Sequence, residues 1–590
     1  MKGGVAVALS TSSRMRHPPK SGAASALGVG LALAPAALLL ALVRVCGVDL
    51  PYGDQWEIAL FFEKLAGGRL GFGDLFALQN EHRQLIPNLI FVGLGQLTSW
   101  DVRYELLVIY ALACVAAFGV YRLGGVTAPR AWRWLLWLVA SLLIFSTAQY
   151  ENWTFGVQIV YLLPAACVTT CLLVCHSRLA PEMKYAVCGL LSVVSTFSSA
   201  NGVVCWAVVW PALVWGPGAG RSGGRRWLAA AWLAGLALSL TFYLHDFRPT
   251  AHHPEWAENL SRPWQAIVYF LCYAGAPLGF NRVGAALAVG AAVLAGYALA
   301  WSYVWRRRAD AELVGRSIGW LLLGAYSVLS GVLVTVARAG FEAKQALSSR
   351  YISFSLYLMV ALVYLAAIIL GHAAAGRDRA WRRRWLTAAA VACAAVIGVE
   401  GLAFAYGMRS MISQRQRLLY AKASLSFINV VQGEALIEIL YPDVQALAQR
   451  ANDLNRLGYL RPPLVAGAWP GGAGEACGAL ERVTGLGGKS YLAAGWARLP
   501  GRGSPADAII LAHDRPGGDP AVFALLDSAR QKVSFGQALA LGRTLRVDWE
   551  QTFRVPDVAP EGARLRAWAY DAETGKACPL GGAYSLEKLD

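Results

Sequence analysis

Charge is scarce in this chain: 15% of its 590 residues are Asp, Glu, Lys or Arg, while 56% are hydrophobic and the mean hydropathy is +0.44. A soluble globular protein is roughly 45–50% apolar and about 25% charged, so a single water-facing fold around one core is excluded and the solvent must be lipid. No base-stacking module or basic groove accompanies the formal charge of +17, which argues against nucleic acid as a partner. Many Lys and Arg residues fall instead in short loops between apolar runs, where they act as topology signals. No convincing small-residue cleavage site follows the first apolar run, 25–48, and the run is longer than a signal h-region, so it is read as the first span. No internal repeat is present.

Of the eleven cysteines, only Cys477 and Cys578 lie in the polar tail, where an oxidising compartment would let them pair. The rest sit in apolar segments as small hydrophobes. Cys167, Cys171, Cys175 and His176 imitate a metal spacing on one helical face, but no complete ligand set converges there and packing is the simpler reading.

A membrane helix needs about 20 apolar residues. That ruler gives about eleven spans, near 25–47, 102–122, 131–149, 156–176, 185–200, 203–216, 227–245, 283–305, 316–337, 351–371 and 385–406. Arg122, Arg130 and Arg133; Arg178 and Lys184; Arg221, Arg225 and Arg226; Arg306, Arg307, Arg308 and Arg316; and Arg377, Arg379, Arg382, Arg383 and Arg384 all fall in alternate loops with the N-terminus. That side is expected to be the cytoplasm. The remainder of the chain then lies outside the inner (plasma) membrane. Two apolar stretches, 82–97 and 264–280, do not fit as crossings and are read as interfacial or re-entrant helices.

The domain plan is therefore a cytoplasmic tail at 1–24, a multi-pass helical domain at 25–406 with a first outer loop at 49–100, a helical connector at 407–465, and a periplasmic β-sandwich at 466–590. Ile58, Phe61, Phe62 and Leu65 predict an amphipathic helix on the membrane surface within the first outer loop. In the tail, 411–456 reads as helix up to Arg461-Pro462-Pro463. Period-two segments at 491–496, 508–512, 547–555 and 563–570 read as strands.

The chemistry is sought among ionisable residues at the outer membrane face, where a charge is costly without a task or a partner. Asp54, just beyond the first span, is the leading candidate. It is equally suited to cap the helix that follows, with Glu57 three residues on completing a capping box. Asn80, Glu81, His82 and Arg83 form a second group, able to orient a polyhydroxylated ligand or to be a solvated turn. The loop 338–351, with Arg338, Lys344, Arg350 and Tyr351, is cationic against the positive-inside rule. It is read as a lipid-phosphate site, with plain headgroup contact as the alternative. Weaker signals are the stretch 149–153 with Glu151, the turn 198–202 with Asn201, and His252-His253-Pro254-Glu255.

With an acidic residue after the first span, interfacial helices before the second, a basic outer loop ending in Arg350-Tyr351 and a soluble outer tail, the chain resembles the GT-C class of integral-membrane glycosyltransferases. It is most similar to the bacterial branch near aminoarabinose lipid A transferases and protein O-mannosyltransferases. The resemblance covers residues 25–406 as an architecture. It implies transfer of a sugar from a polyprenyl-phosphate carrier to an envelope glycan, lipid or protein acceptor at the outer face, with inversion. Asp54 matches the family's essential acid as general base. Where many members carry adjacent Asp-Glu, this chain has Asp54-Gln55-Trp56-Glu57, which makes Glu57 the candidate catalytic partner of Asp54 and leaves its role open. Arg350-Tyr351 matches the basic site near the donor phosphate. No cofactor is implied beyond a divalent cation, for which Asp54 and Glu57 would supply two ligands, a thin shell. The competing readings are a flippase for a lipid-linked sugar, which would place ionisable residues near the midplane, and a polysaccharide ligase or assembly protein.

Overall fold

The structure, a computed structural model, describes residues 22–215, 225–248, 259, 261–375, 377–433, 435–465, 474–499, 502, 504–515, 518–528, 548–555 and 563–585. His252, His253 and Glu255 lie outside the described residues, as does the tail before residue 22.

Among the described residues nine helices are long and apolar enough to cross a membrane, from Leu27–Cys46 to Arg379–Ser426. Two of the about eleven expected spans are shorter than these nine. The two crossings expected at 185–200 and 203–216 are a helical hairpin of Pro181–Thr196 and Val204–Trp215, 16 and 12 residues long, joined through a 3-10 turn at Ala200–Val203. The polar run Thr196 to Gly202 interrupts the apolar pattern. Gly202 is required at the crossing because a Cβ there would stand 1.7 Å from the Ser195 carbonyl oxygen. The indole of Trp206 donates to Thr196 Oγ1 at 3.0 Å and ties the two arms together.

Elsewhere the bundle closes through small residues, as is usual where lipid provides no hydrophobic drive for helix association. Pro263–Gly275 and Val283–Arg306 approach so closely that a Cβ on Gly275 would lie 1.9 Å from the Ala286 oxygen, and one on Gly290 would lie 2.0 Å from the Leu271 oxygen. The two stretches expected not to cross are a 14-residue helix, Leu85–Thr98, and the 13-residue Pro263–Gly275 helix, which ends in a 3-10 turn at Ala276–Leu278.

Hydrogen bonds sort the helix ends into two faces. At one face Ile86 N–H donates to Phe197 O at 3.1 Å, Arg83 Nε to Tyr243 O at 2.8 Å, and Glu151 N–H to Ser349 Oγ at 3.2 Å. At the other, Arg316 Nε donates to Thr127 O at 2.7 Å and Lys184 Nζ to Cys175 O at 2.9 Å. The described arginine-rich loops belong to this second face, hereafter the basic face.

The last span differs from its expected boundary. Arg379–Ser426 is one continuous helix of 48 residues, about 72 Å at 1.5 Å per residue against a hydrocarbon core of about 30 Å. The connector thus begins as a rigid extension of the span rather than as a separate helix. After Ser426 the chain bends, makes a π-helical turn at Leu436–Leu440 and forms the amphipathic helix Val444–Arg456, capped by the Asp443 carboxylate accepting from the amides of Gln445 and Ala446.

The C-terminal region holds two antiparallel sheets. Gly478–Gly487, Ser490–Ala497 and Asp548–Arg554 form one; Tyr584–Ser585, Arg564–Asp571, Ala508–Arg515 and Gly518–Leu526, with Lys576–Pro579 added beside Arg564–Asp571, form the other. Alternate residues of both sheets, such as Val483, Tyr491, Ile509 and Leu565, pack into one core. The outward residues Ile510 and Trp568 join the apolar core of the helical domain. Cys477 and Cys578 form a disulfide at one edge. The sheets stand on the extension of the last span, where Tyr420 Oη donates to Leu525 O at 3.2 Å and Phe427 meets Tyr570 ring to ring at 5.3 Å.

Candidate functional site

Asp54 occupies the N-cap position of Gln55–Ala66, but its side chain makes no capping hydrogen bond. The capping box expected from Asp54 and Glu57 does not form. Gly53, at φ 55°, donates its N–H to the Leu440 carbonyl at 2.7 Å, which fixes the backbone just before the helix. Asp54 is exposed to water, yet the protein mass around it is enough that desolvation pushes its carboxyl above the usual carboxylate range, with the Arg350 guanidinium pulling it back and Glu57 adding to the rise. A side chain that water reaches but that protein surrounds lines a recess.

The helix carrying Asp54 is anchored from beneath. Gln55 and Glu105 are fully buried, and Gln55 Nε2 donates to Glu105 Oε2 at 2.6 Å while Trp100 Nε1 donates to Oε1 at 2.8 Å. Both carboxyl oxygens are thereby hydrogen-bonded, as buried polar atoms require. From above, Glu57 accepts from Arg450 Nη1 at 3.0 Å and Nη2 at 3.3 Å, and from the hydroxyl of Tyr441. Glu57 therefore faces the connector, not the Asp54 recess. Among the described residues no group of three or more His, Cys, Asp or Glu side chains is placed to hold a metal ion.

Opposite Asp54 stands the loop that follows Ala311–Arg338. Glu151 organises it: its Oε2 accepts from Ser348 Oγ at 3.1 Å and from the Arg350 backbone N–H at 3.3 Å, and Arg350 Nε donates to Ser348 Oγ at 3.1 Å. The Arg350 guanidinium lies within electrostatic reach of Tyr161, Tyr351, Glu151 and Asp54. Tyr351 is buried, and its hydroxyl accepts from Gln345 Nε2 at 3.1 Å, while Tyr269 donates to the other end of the same amide. Lys344 is exposed on the 3-10 turn Ala343–Leu347.

The hairpin Leu78–Gln79 and His82–Arg83 closes a third side. Asn80 is exposed at its tip at φ 51°, a conformation Asn tolerates better than most residues. Glu81 pairs with Arg338 Nη2 at 3.0 Å, both side chains being under one-fifth exposed. His82 Nδ1 accepts from the Ala200 N–H at 3.2 Å, and its ring meets Tyr161 edge-on at 6.4 Å. Arg83 is buried, donating to the carbonyls of Tyr243 and Phe76. Asn201 is buried in the adjoining 3-10 turn.

The candidates thus divide. Asp54, Glu81, His82, Glu151, Arg338, Arg350 and Tyr351 converge around Tyr161, on which Arg350, Tyr351, Arg338 and Asp54 all act electrostatically. Arg83 and Glu57 brace the surrounding helix ends, Asn201 is buried in its turn, and Asn80 and Lys344 are exposed. Sequence reasoning missed Tyr161, which lies in an otherwise apolar run, and Arg450, whose partner is 393 residues away. It also missed Glu105, whose signal was an acidic residue inside the boundary of a span.

The arrangement sets an accessible carboxylate within electrostatic reach of a guanidinium held by Ser348, with Tyr161 in reach of both. It can take a proton from a hydroxyl on one side and neutralise an anion on the other. No protein-family model, no curated protein and no solved structure matches the chain.

Proposed function

We propose that this protein is a GT-C-like membrane glycosyltransferase that moves a sugar from a polyprenyl-phosphate carrier to an envelope glycan, lipid or protein acceptor at the outer face of the bacterial inner membrane. The observation that carries the reading is the juxtaposition of Asp54, accessible in its recess, with the Arg350 guanidinium. The face opposite the arginine-rich loops is taken as the outer one, following the positive-inside rule.

In the proposed reaction an acceptor hydroxyl attacks the anomeric carbon while Asp54 removes its proton. The bond between that carbon and the phosphate oxygen breaks, and the electron pair leaves with the carrier phosphate. Attack from the side opposite the phosphate inverts the anomeric centre. General-base help is worth roughly 10² to 10⁴ in rate, about 3–5 kcal/mol. That is too little alone, so the charge of Arg350 on the departing phosphate and the fixed geometry of both groups supply the remainder. Glu151 and Ser348 hold the arginine loop in place, and the half-buried Tyr161 offers a ring against which a sugar can pack.

Mass spectrometry of envelope glycans and glycoproteins from a deletion strain tests the proposal. A sugar addition lost on deletion, restored by the wild-type gene and not by Asp54→Asn supports it. An unchanged glycan profile overturns it.

A further inference from the structure

A groove on the basic face, remote from Asp54, is used by nothing described so far. It has a volume of about 420 Å³ and runs between the helices Arg133–Ile144, Ile352–Ala373 and the first part of Arg379–Ser426. From Trp381 to Val396 it follows 15 residues of helix, about 22 Å at 1.5 Å per residue. Half of a hydrocarbon core is about 15 Å, so the groove reaches through one leaflet into the headgroup layer.

Its wall is almost entirely apolar, with Ala366, Ala367, Ala389 and Ala392 leaving room that larger side chains would fill. Polarity enters only at the mouth. There Arg382 Nε donates to the Ala374 carbonyl at 3.1 Å, which fixes the guanidinium at the opening. Arg377 lies over the Trp381 ring at 5.7 Å, and Trp381 and Trp385 pack at 5.7 Å. Aromatic rings and arginines together mark the headgroup level of a bilayer. Arg379 and Arg383 flank the same turn, so the mouth is strongly cationic and the depth is hydrocarbon-like.

We infer that this groove holds one anionic glycerophospholipid, with an acyl chain along the alanine wall and its phosphate against Arg382. The charge at the mouth selects the headgroup, and the three enclosing helices distinguish the site from the ordinary lipid annulus. The site does not depend on the transferase reading, since it lies on the other face.

The test is native mass spectrometry of the full-length protein in mild detergent, after exchange with phosphatidylglycerol, phosphatidylcholine or glycerol phosphate. One phosphatidylglycerol is expected to be retained about fivefold over phosphatidylcholine, the ratio that about 1 kcal/mol from the single phosphate-facing Arg382 gives, and glycerol phosphate is not expected to bind. Arg382→Gln and the milder Ala389→Leu should each lose retained lipid while eluting as monodisperse protein, whereas Arg308→Gln, on the same face but outside the groove, should keep it. Equal retention of the two lipids, binding of glycerol phosphate alone, or undiminished lipid in both groove variants overturns the assignment.

Discussion

Glu57 and Arg450 are 393 residues apart in the chain and form a two-pronged ion pair, with Arg450 Nη1 and Nη2 each donating to one carboxylate oxygen. The pair joins the interfacial helix to the connector, and with the Gly53 amide bonded to Leu440 it makes the position of Asp54 depend on a segment beyond the last span. The pair is partly exposed, at 15% for the arginine and 39% for the glutamate, so its coupling energy is expected to be about 0.5–1 kcal/mol after solvent screening. A double-mutant cycle of Arg450→Ala and Glu57→Gln, read by thermal unfolding, should return that value. A coupling near zero removes the latch.

Glu105 should matter more for stability. It is fully buried and satisfied by Gln55 and Trp100, so Glu105→Leu strands two buried donors and is expected to cost about 2–4 kcal/mol. Glu105→Gln, which keeps one acceptor and can rotate its amide to meet Gln55, should cost less. Gly156→Ala attacks the same contact sterically, since its Cβ would lie 1.8 Å from Glu105 Oε2, with an expected overpacking cost of about 1–3 kcal/mol. Melting temperatures in detergent check the order of the three.

The pH dependence of turnover has a definite sign. Burial raises the Asp54 carboxyl above its ordinary value, so the carboxyl keeps its proton to higher pH, and the base form is lost as pH falls through the raised value. Arg350→Gln removes the main charge that lowers it, and the acid limb should move to higher pH. Glu57→Gln removes a charge that raises it, and the limb should move lower. The contribution of this group to folding runs the other way: it is fully present below the ordinary aspartate value and is lost as pH rises through the raised one. Profiles of kcat/KM that shift in the same direction for both variants contradict this electrostatic arrangement.

Docking of the sheets rests on a chain of charges. Arg415 Nη2 donates to Glu573 at 3.1 Å; Arg502 donates to the other oxygen of Glu573 at 2.8 Å, to Asp507 at 2.6 Å, and to Asp571. Arg502→Ala would leave the buried Asp507 beside Asp571 without compensation, at an expected cost of about 3 kcal/mol. Hydrogen exchange should then quicken in Ala508–Arg515 and Arg564–Asp571, while the strands Gly478–Gly487 and Ser490–Ala497 change less.

The spans were legible in the sequence because lipid imposes a length and a charge asymmetry that short-range composition records. Leu27–Cys46 and Val283–Arg306 fall close to their expected limits. The hairpin Pro181–Thr196 and Val204–Trp215 was legible as two apolar segments, but apolarity alone does not reveal how short its helices are or that Ser195 and Gly202 touch. The unbroken helix through Tyr406 was missed because its polarity changes while its helix-forming residues do not. At the site, Asp54 and Arg350 stood out as charges at a membrane boundary. Tyr161 did not, because a tyrosine in an apolar run reads as core, and Arg83 and Glu57 were read as ligand groups because spacing carries no record of the distant carbonyls and side chains that occupy them.

The central claim is that Asp54 acts as base opposite Arg350. The most direct measurement is the rate at which membranes containing equal amounts of wild-type or Asp54→Asn protein consume a polyprenyl-phosphate sugar in the presence of envelope acceptor. The account predicts a rate at least about 10²-fold slower for Asp54→Asn, with both proteins equally folded in the membrane. Equal rates contradict it.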